Sequence, residues 1–214
     1  MYNIIHNPLC FILDVNISTA ILAGGKSVRF GSDKTLVDLA GKSIIQYAID
    51  EFKDITNLYI FAKDSKKYSH LGIPIIIDKY EHQSPLAGII TALENVSDEI
   101  VFILSADMPL IKKSILTVLL DNINENDDIV LPCIEGKIYA LTGIYRKHVK
   151  STLEYYYNKK IYKIIDAFRD LHVKLLDEKY FIEANINLYS FININSWNEY
   201  KNAERILQEN NKTI

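Results

Sequence analysis

Residues 21–34, ILAGGKSVRFGSDK, run from an apolar stretch through adjacent glycines into Lys26, Arg29 and Lys34. Glycines that accept positive φ let successive backbone N–H groups converge, forming a concavity suited to anions. The three cations add what a polyphosphate needs. A planar guanidinium can grip two oxygens, and an ammonium can follow charge onto a leaving group. Two common phosphate loops do not fit. G-x-x-x-x-G-K-[ST] fails because Ser32 follows Gly31, and G-x-G-x-x-G fails because Gly24 and Gly25 are adjacent. A second stretch, IVFILSADMP at 100–109, ends an apolar run in Asp107. Mg²⁺ is bound by one or two carboxylates plus substrate phosphates, and Asp107 has the place for that role. The same spacing suits a turn-capping aspartate equally well.

Other chemistry finds little support. His6, His70, His82, His148 and His172 have no zinc-type spacing. Ser27 has no placed base, and no G-x-S-x-G elbow exists. His82 could face a ligand crevice but is expected as an exposed loop residue; Lys159, Lys160 and Lys163 could meet a substrate phosphate but are expected as a solvated helix start.

The elements that must position the loop and the aspartate alternate regularly. Nearly continuous apolar runs at 17–22, 57–62, 73–77, 100–105 and 128–132 read as strands buried on both faces. Helices fall between them: one opens at Ser43 and Gln46 as a capping box, one at Ser84-Pro85, one after Lys112. This order predicts an α/β fold, a doubly wound three-layer α/β/α domain with a mostly parallel, Rossmann-like sheet. The loop 22–34 then sits at the carboxyl edge of the first strand, where such sheets bind ligands. Beyond residue 135 the pattern predicts a strand over 137–147 and helices over 147–157 and 161–170. Strands over 172–176 and 188–194 and a last helix over 197–209 follow.

The 214 residues suggest one domain over 17–214, with 1–16 an extension of uncertain order. At 49% hydrophobic the chain can bury a core, and a net charge of −3 gives no basic surplus for nucleic acid or an anionic membrane. Cys10 and Cys133 make neither a disulfide framework nor a CxxC site. No apolar run reaches the roughly 18 residues of a membrane span. LCFIL at 9–13 is too short for a signal-peptide core. A cytoplasmic protein is expected.

LAGGKSVRFGSDK resembles the signature loop of the sugar-nucleotide-type nucleotidyltransferases, L-A-G-G-x-S-x-R-[MF]-G-x-D-K. It is most similar to the branch of the molybdenum cofactor guanylyltransferases. The resemblance implies a loop that wraps GTP, with Leu22, Ala23, Gly24 and Gly25 by the base and sugar and Arg29 and Lys34 on the phosphates. SADMP looks like the family's strand end whose aspartate binds Mg²⁺, which assigns Asp107 to the metal. SPLAGI at 84–89 resembles G-P-L-A-G, implicating Leu86, Ala87 and Gly88, while Asp78 matches an aspartate near guanine or ribose. Asp78 also fits a loop cap. FININ at 191–195 resembles N-[IV]-N-T-P, which would bring Asn193 and Asn195 to the metal or the pterin; two asparagines in an Asn-rich chain is the plainer reading.

The implied reaction transfers GMP from Mg·GTP to the terminal phosphate of molybdopterin or molybdenum cofactor, giving the guanine dinucleotide and pyrophosphate. Lys34, Arg29 and Asp107 would be its catalytic residues. Residues 17–133 would form the nucleotide half and 134–205 the acceptor half. Transient contact with other cofactor-biosynthesis or molybdoenzyme-maturation proteins is expected. The sequence departs from the family at Lys63, where an asparagine often helps read guanine, at Tyr139-Ala140 in place of His-Pro, and at Ser196-Trp197. These departures leave room for a molybdopterin cytidylyltransferase, a sugar-phosphate nucleotidyltransferase, or a non-catalytic nucleotide-binding or docking protein.

Overall fold

The structure is a computed structural model and describes residues 16–24 and 33–211. Gly25, Lys26 and Arg29 lie outside the described residues, as does the extension before residue 16.

Strand β1 (Ile17–Ala23) lies between β4 (Asn57–Ala62) and β6 (Ile100–Ser105), parallel to both. The sheet runs β10-β7-β9-β6-β1-β4-β5, where β5 is Ile75–Ile77, β7 Ile129–Ile134, β9 Thr142–Arg146 and β10 Val173–Asp177. Strand β8 (Lys137–Ile138) pairs with β7. The pairings of β8 and β9 are antiparallel; those of β1, β4, β5 and β6 among themselves, and of β10 with β7, are parallel. Strand order reverses at β1, which opens a crevice beyond its carboxyl end.

Alternation along the strands divides the core. Ile21, Phe102 and Leu104 face one side, covered by α1 (Ile44–Phe52) and α3 (Lys113–Asp121). Ala20, Val101 and Ile103 face the other, covered by α2 (Pro85–Asn95) and α4 (Lys150–Asn158). Helices therefore lie on both faces of a mostly parallel sheet, the three-layer arrangement expected. Helix α2 begins as the sequence suggests, with the Ser84 hydroxyl accepting from Ala87 N at 3.2 Å and Pro85 in the first turn. The capping box expected for α1 does not form. Ser43 makes no side-chain cap, and Gln46 Nε2 instead donates to Asp50 Oδ1, one turn further on.

Four other expectations are corrected. Two 3-10 turns, Ser65–Lys67 and Ser69–Leu71, stand where a helix between β4 and β5 was expected. The stretch 137–147 is not one strand, because a turn over 139–141 separates β8 from β9 and lets β9 pair with β6 and β7. The helix expected over 161–170 is only a 3-10 turn, Ile164–Phe168. The strand expected over 188–194 is a 3-10 turn, Leu188–Phe191, followed by extended backbone that joins no sheet. A hairpin (β2, Asp38–Leu39; β3, Lys42–Ser43) and helix α5 (Glu178–Glu183) had not been expected.

Helix α6 (Trp197–Asn211) closes the fold. A small core of Leu39, Ile44, Leu110, Ile194 and Ala203 ties it and the preceding segment to the hairpin and to the residues just past Asp107. No helix among the described residues is long and apolar enough to cross a membrane.

Candidate active site

Lys34 opens a 3-10 turn (Lys34–Leu36) directly after the glycine loop. Asp33 caps that turn: its Oδ1 accepts from Thr35 N at 3.2 Å and from Thr35 Oγ1 at 2.8 Å, and its Oδ2 accepts from the Tyr68 hydroxyl at 2.8 Å. Tyr68 is buried, and burial, with the Asp33 carboxylate beside it, pushes its phenol well above the ordinary range. It stays a neutral donor and fixes where the Lys34 backbone begins.

Asp107 comes two residues after the end of β6 and is 7% exposed. Its Oδ2 lies 2.6 Å from Lys34 Nζ. Its Oδ1 accepts from Ser105 Oγ at 2.6 Å and from Asn193 Nδ2 at 2.9 Å. Lys34 Nζ also donates to Ile194 O at 2.9 Å and to Asn195 Oδ1 at 2.7 Å. Ile194 N in turn donates to Asp107 O at 2.9 Å, so the asparagine segment is bonded to the aspartate by backbone as well as side chain.

Four side chains singled out in the sequence, Lys34, Asp107, Asn193 and Asn195, thus meet at one point although up to 161 residues separate them. Asn193 and Asn195 do share one side of extended backbone, as expected. Their alignment is set by the packing of Ile194 beneath them in the core with Leu39 and Leu110, and not by a sheet. Asp107 Oδ2, Ile194 O and Asn195 Oδ1 are three oxygens gathered around one cation, here the Lys34 ammonium. Such hard oxygen donors fit Mg²⁺. Among the described residues no group of three or more His, Cys, Asp or Glu could hold a metal. A metal here would therefore take one carboxylate and draw its remaining ligands from amide and backbone oxygens or from a substrate.

Beside this cluster lies a cavity of about 810 Å³, lined by Leu22, Ala23, Gly24, Asp78 and Gly88 among others. Asp33 and Ser105, which hold Lys34 and Asp107, also line it. At Gly88 an added Cβ would stand 3.2 Å from Leu22 Cδ1, so the first turn of α2 and the end of β1 approach closely at the cavity wall. Leu86 and Ala87, expected at the nucleotide, do not line the cavity. Both side chains are fully buried in the core with Ile89 and Ile90, because their positions on α2 face the sheet. His82 is exposed, as expected, yet it also lines the cavity and stacks on Tyr162 with ring centroids 3.6 Å apart. Lys159 and Lys160 lie past the end of α4, Lys163 directly precedes the 3-10 turn Ile164–Phe168, and all three are exposed.

Sequence reasoning passed over Asp33, Ser105 and Thr91. The first two stood inside the quoted motifs, and Ser105 lies two residues from Asp107, a spacing that suits a side-chain hydrogen bond. The Thr91 hydroxyl, in the second turn of α2, lies 3.1 Å from Asp78 Oδ1, and no local pattern pointed to it.

The model of the MobA-like NTP transferase domain matches residues 19–173. The chain belongs to that family. It is a nucleotidyltransferase by this membership, and Asn193 and Asn195 lie beyond the matched residues. A probable molybdenum cofactor guanylyltransferase from Aquifex aeolicus is 34% identical, over 78% of this chain and 84% of that protein. One of the same description from Carboxydothermus hydrogenoformans is 33% identical, over 89% and 96%. Among solved structures, molybdopterin-guanine dinucleotide biosynthesis protein A from Archaeoglobus fulgidus superposes with a TM-score of 0.80 at 25% identity, covering 90% of this chain and 99% of that one.

Proposed function

We propose that this MobA-like transferase moves GMP from Mg·GTP to the terminal phosphate of molybdopterin or its molybdenum-loaded form. The single observation that carries the reading is the Lys34–Asp107 contact of 2.6 Å, made by residues that do not themselves line the 810 Å³ cavity but whose neighbours Asp33 and Ser105 do. It is supported by the names of the relatives above. An oxygen of the acceptor phosphate attacks the α-phosphorus of GTP. A new P–O bond forms as the bond from the α-phosphorus to the bridging oxygen breaks, and pyrophosphate leaves with that electron pair. The acceptor phosphate is already ionised at neutral pH, so no protein nucleophile is required.

What the protein contributes is position and charge. Lys34, with Arg29 from the loop, neutralises charge building on the departing pyrophosphate. Asp107, kept in place by Ser105 and Asn193, would hold the Mg²⁺ that such nucleotidyltransferases generally use, which would supply positive charge beside the α-phosphate. Leu22, Ala23, Gly24, Gly25 and Gly88 enclose the nucleoside. Asn195 and Asn193 stand between the metal-binding carboxylate and the acceptor. On this reading residues 17–133 bind the nucleotide and residues 134–205 the pterin, and the protein works in the cytoplasm alongside the proteins that supply and consume the cofactor.

The test is pyrophosphate release by the purified protein given Mg²⁺, GTP and molybdopterin. Asp107→Ala should lower turnover at least ~100-fold, the usual consequence of losing one preorganised charge. Near-wild-type release by that variant would refute the metal assignment. A preference for CTP over GTP in the wild-type protein would refute the guanine assignment.

A further inference from the structure

Lys63 follows the last residue of β4, so the parallel sheet delivers it to the ligand edge, and it lines the cavity with Asp78. Its ammonium donates to Asp78 O at 2.9 Å and to Tyr80 O at 2.6 Å, and it lies 3.3 Å from Asp78 Oδ2. The two carbonyls accept hydrogen bonds, and the carboxylate oxygen makes an ion pair with the same ammonium. The ammonium is therefore committed to the turn at 78–80. Two carbonyl dipoles and a carboxylate converge on it, and without a cation they would repel one another.

The Asp78 carboxylate is held from three sides. Tyr80 N donates to Oδ1 at 2.9 Å; the Thr91 hydroxyl lies 3.1 Å from the same atom and shares its one proton with Ala87 O at 2.9 Å, while Lys63 attends Oδ2 at 3.3 Å. Asp78 N donates to Ala62 O at 3.0 Å, which fixes the backbone to the end of β4. A carboxylate has about four acceptor sites. Oδ1 is occupied by Tyr80 N and the shared Thr91 hydroxyl, and Oδ2, beside the Lys63 ammonium, keeps room for a further donor.

We infer that Lys63 is a positioning residue for the nucleoside end of the substrate: it locks the 78–80 turn so that the remaining acceptor site of Asp78 takes one N–H or O–H donor from the nucleoside. This rests on the reading that the cavity holds GTP. The guanine N1–H and 2-amino group and the two ribose hydroxyls have the required chemistry. ATP lacks both base donors and 2′,3′-dideoxy-GTP lacks both hydroxyls, so the two analogues separate the base edge from the ribose.

The experiment measures Mg·GTP affinity by calorimetry, and kcat and KM by pyrophosphate release, for wild type, Lys63→Met, Lys63→Gln and Lys63→Arg. Lys63→Met should weaken GTP binding and raise KM about tenfold, with kcat changed less than about twofold. Lys63→Arg, which keeps the charge, should recover at least about a third of the lost affinity. Wild type should discriminate against one of the two analogues, and Lys63→Met should lose most of that discrimination, which a general loss of stability would not cause. Lys63→Gln replaces Lys63→Met if the latter does not fold, with the same shift in discrimination expected. Unchanged GTP affinity in a folded neutral variant, or a fall in kcat at constant KM, would overturn the inference. If wild type makes no pyrophosphate while the neutral variants still lose GTP affinity, the transfer reaction falls and the role of Lys63 stands.

Discussion

Replacing Lys34 with methionine keeps the length of the side chain and removes its charge, and three oxygens lose their shared cation: Asp107 Oδ2, Ile194 O and Asn195 Oδ1. At 2.6 Å the ion pair alone is worth about 6 kcal/mol of gross attraction for an effective dielectric near 20. Desolvation cancels most of that, because the side chains are only 18% and 10% exposed. What remains on removing one partner is an uncompensated carboxylate, which still has Ser105 and Asn193 on its other oxygen. We expect a net loss of about 1–3 kcal/mol, a fall in Tm of roughly 3–10 °C for a chain of this size. Asp107→Asn removes the stranded charge, so adding it to Lys34→Met should restore at least about 1 kcal/mol. Thermal and urea melts of the nucleotide-free protein measure all four corners of that cycle. Turnover of Lys34→Met should fall at least ~100-fold as well. Additive stabilities within about 0.3 kcal/mol would show that Lys34 and Asp107 do not act on each other, and the picture of one shared cation site would be wrong.

Two further predictions concern the scaffold. Gly143→Ala would put a Cβ 2.3 Å from Leu131 Cδ2 and 2.7 Å from Val130 O; the carbonyl belongs to the neighbouring strand and cannot swing away, so urea melts should show a loss of about 2 kcal/mol or more. A loss under about 0.5 kcal/mol would mean that β7 and β9 separate easily there. Burial alone would raise the Asp128 carboxyl, but the His172 N–H at 2.8 Å and the His148 ring at 2.7 Å outweigh it and hold the group below its ordinary value. A lowered folded value gives stability that is present above the unfolded pKa and is lost as pH falls through the folded one. Asp128→Asn should therefore be about 1 kcal/mol less stable than wild type at pH 7, and the gap should close as the pH is taken below ~4. A gap that stays constant down to about pH 2 would show that the charge of Asp128 contributes nothing.

How much of this could be read from the chain depended on whether the cause was local. Strands β1, β4 and β6 were legible because burial on both faces leaves continuous apolar runs, and α2 because Ser84 and Pro85 open it with a local cap. The break between β8 and β9 was not, since Tyr139, Ala140 and Leu141 are as apolar as the strands they separate. One local signal was available there and went unused: Glu135-Gly136, with φ of 50° and 76°, closes the β7–β8 hairpin as a two-residue turn with both residues left-handed. In LYSFININ only the final ININ alternates, and Phe191 and Ile194 anchor a turn and an extended segment into two different cores. Period two reports that side chains alternate between inside and outside, not that a neighbouring strand exists.

The site divides in the same way. Lys34 was legible as one of three cations in a glycine loop, whereas Asp107 was assigned only through the motif resemblance, since a strand end suits a turn cap equally well. That they touch was not legible, because contact depends on Ile194 N bonding to Asp107 O and on Ile194 packing beside Leu39 and Leu110. Lys63 is the instructive case. As a sequence position it is a departure from the family pattern and argues against guanine selection. In the fold its charge is spent on two carbonyls and a carboxylate at the cavity wall. If Lys63 positions Asp78 as inferred above, nucleoside selection would depend on the Lys63–Asp78 pair and not on position 63 alone.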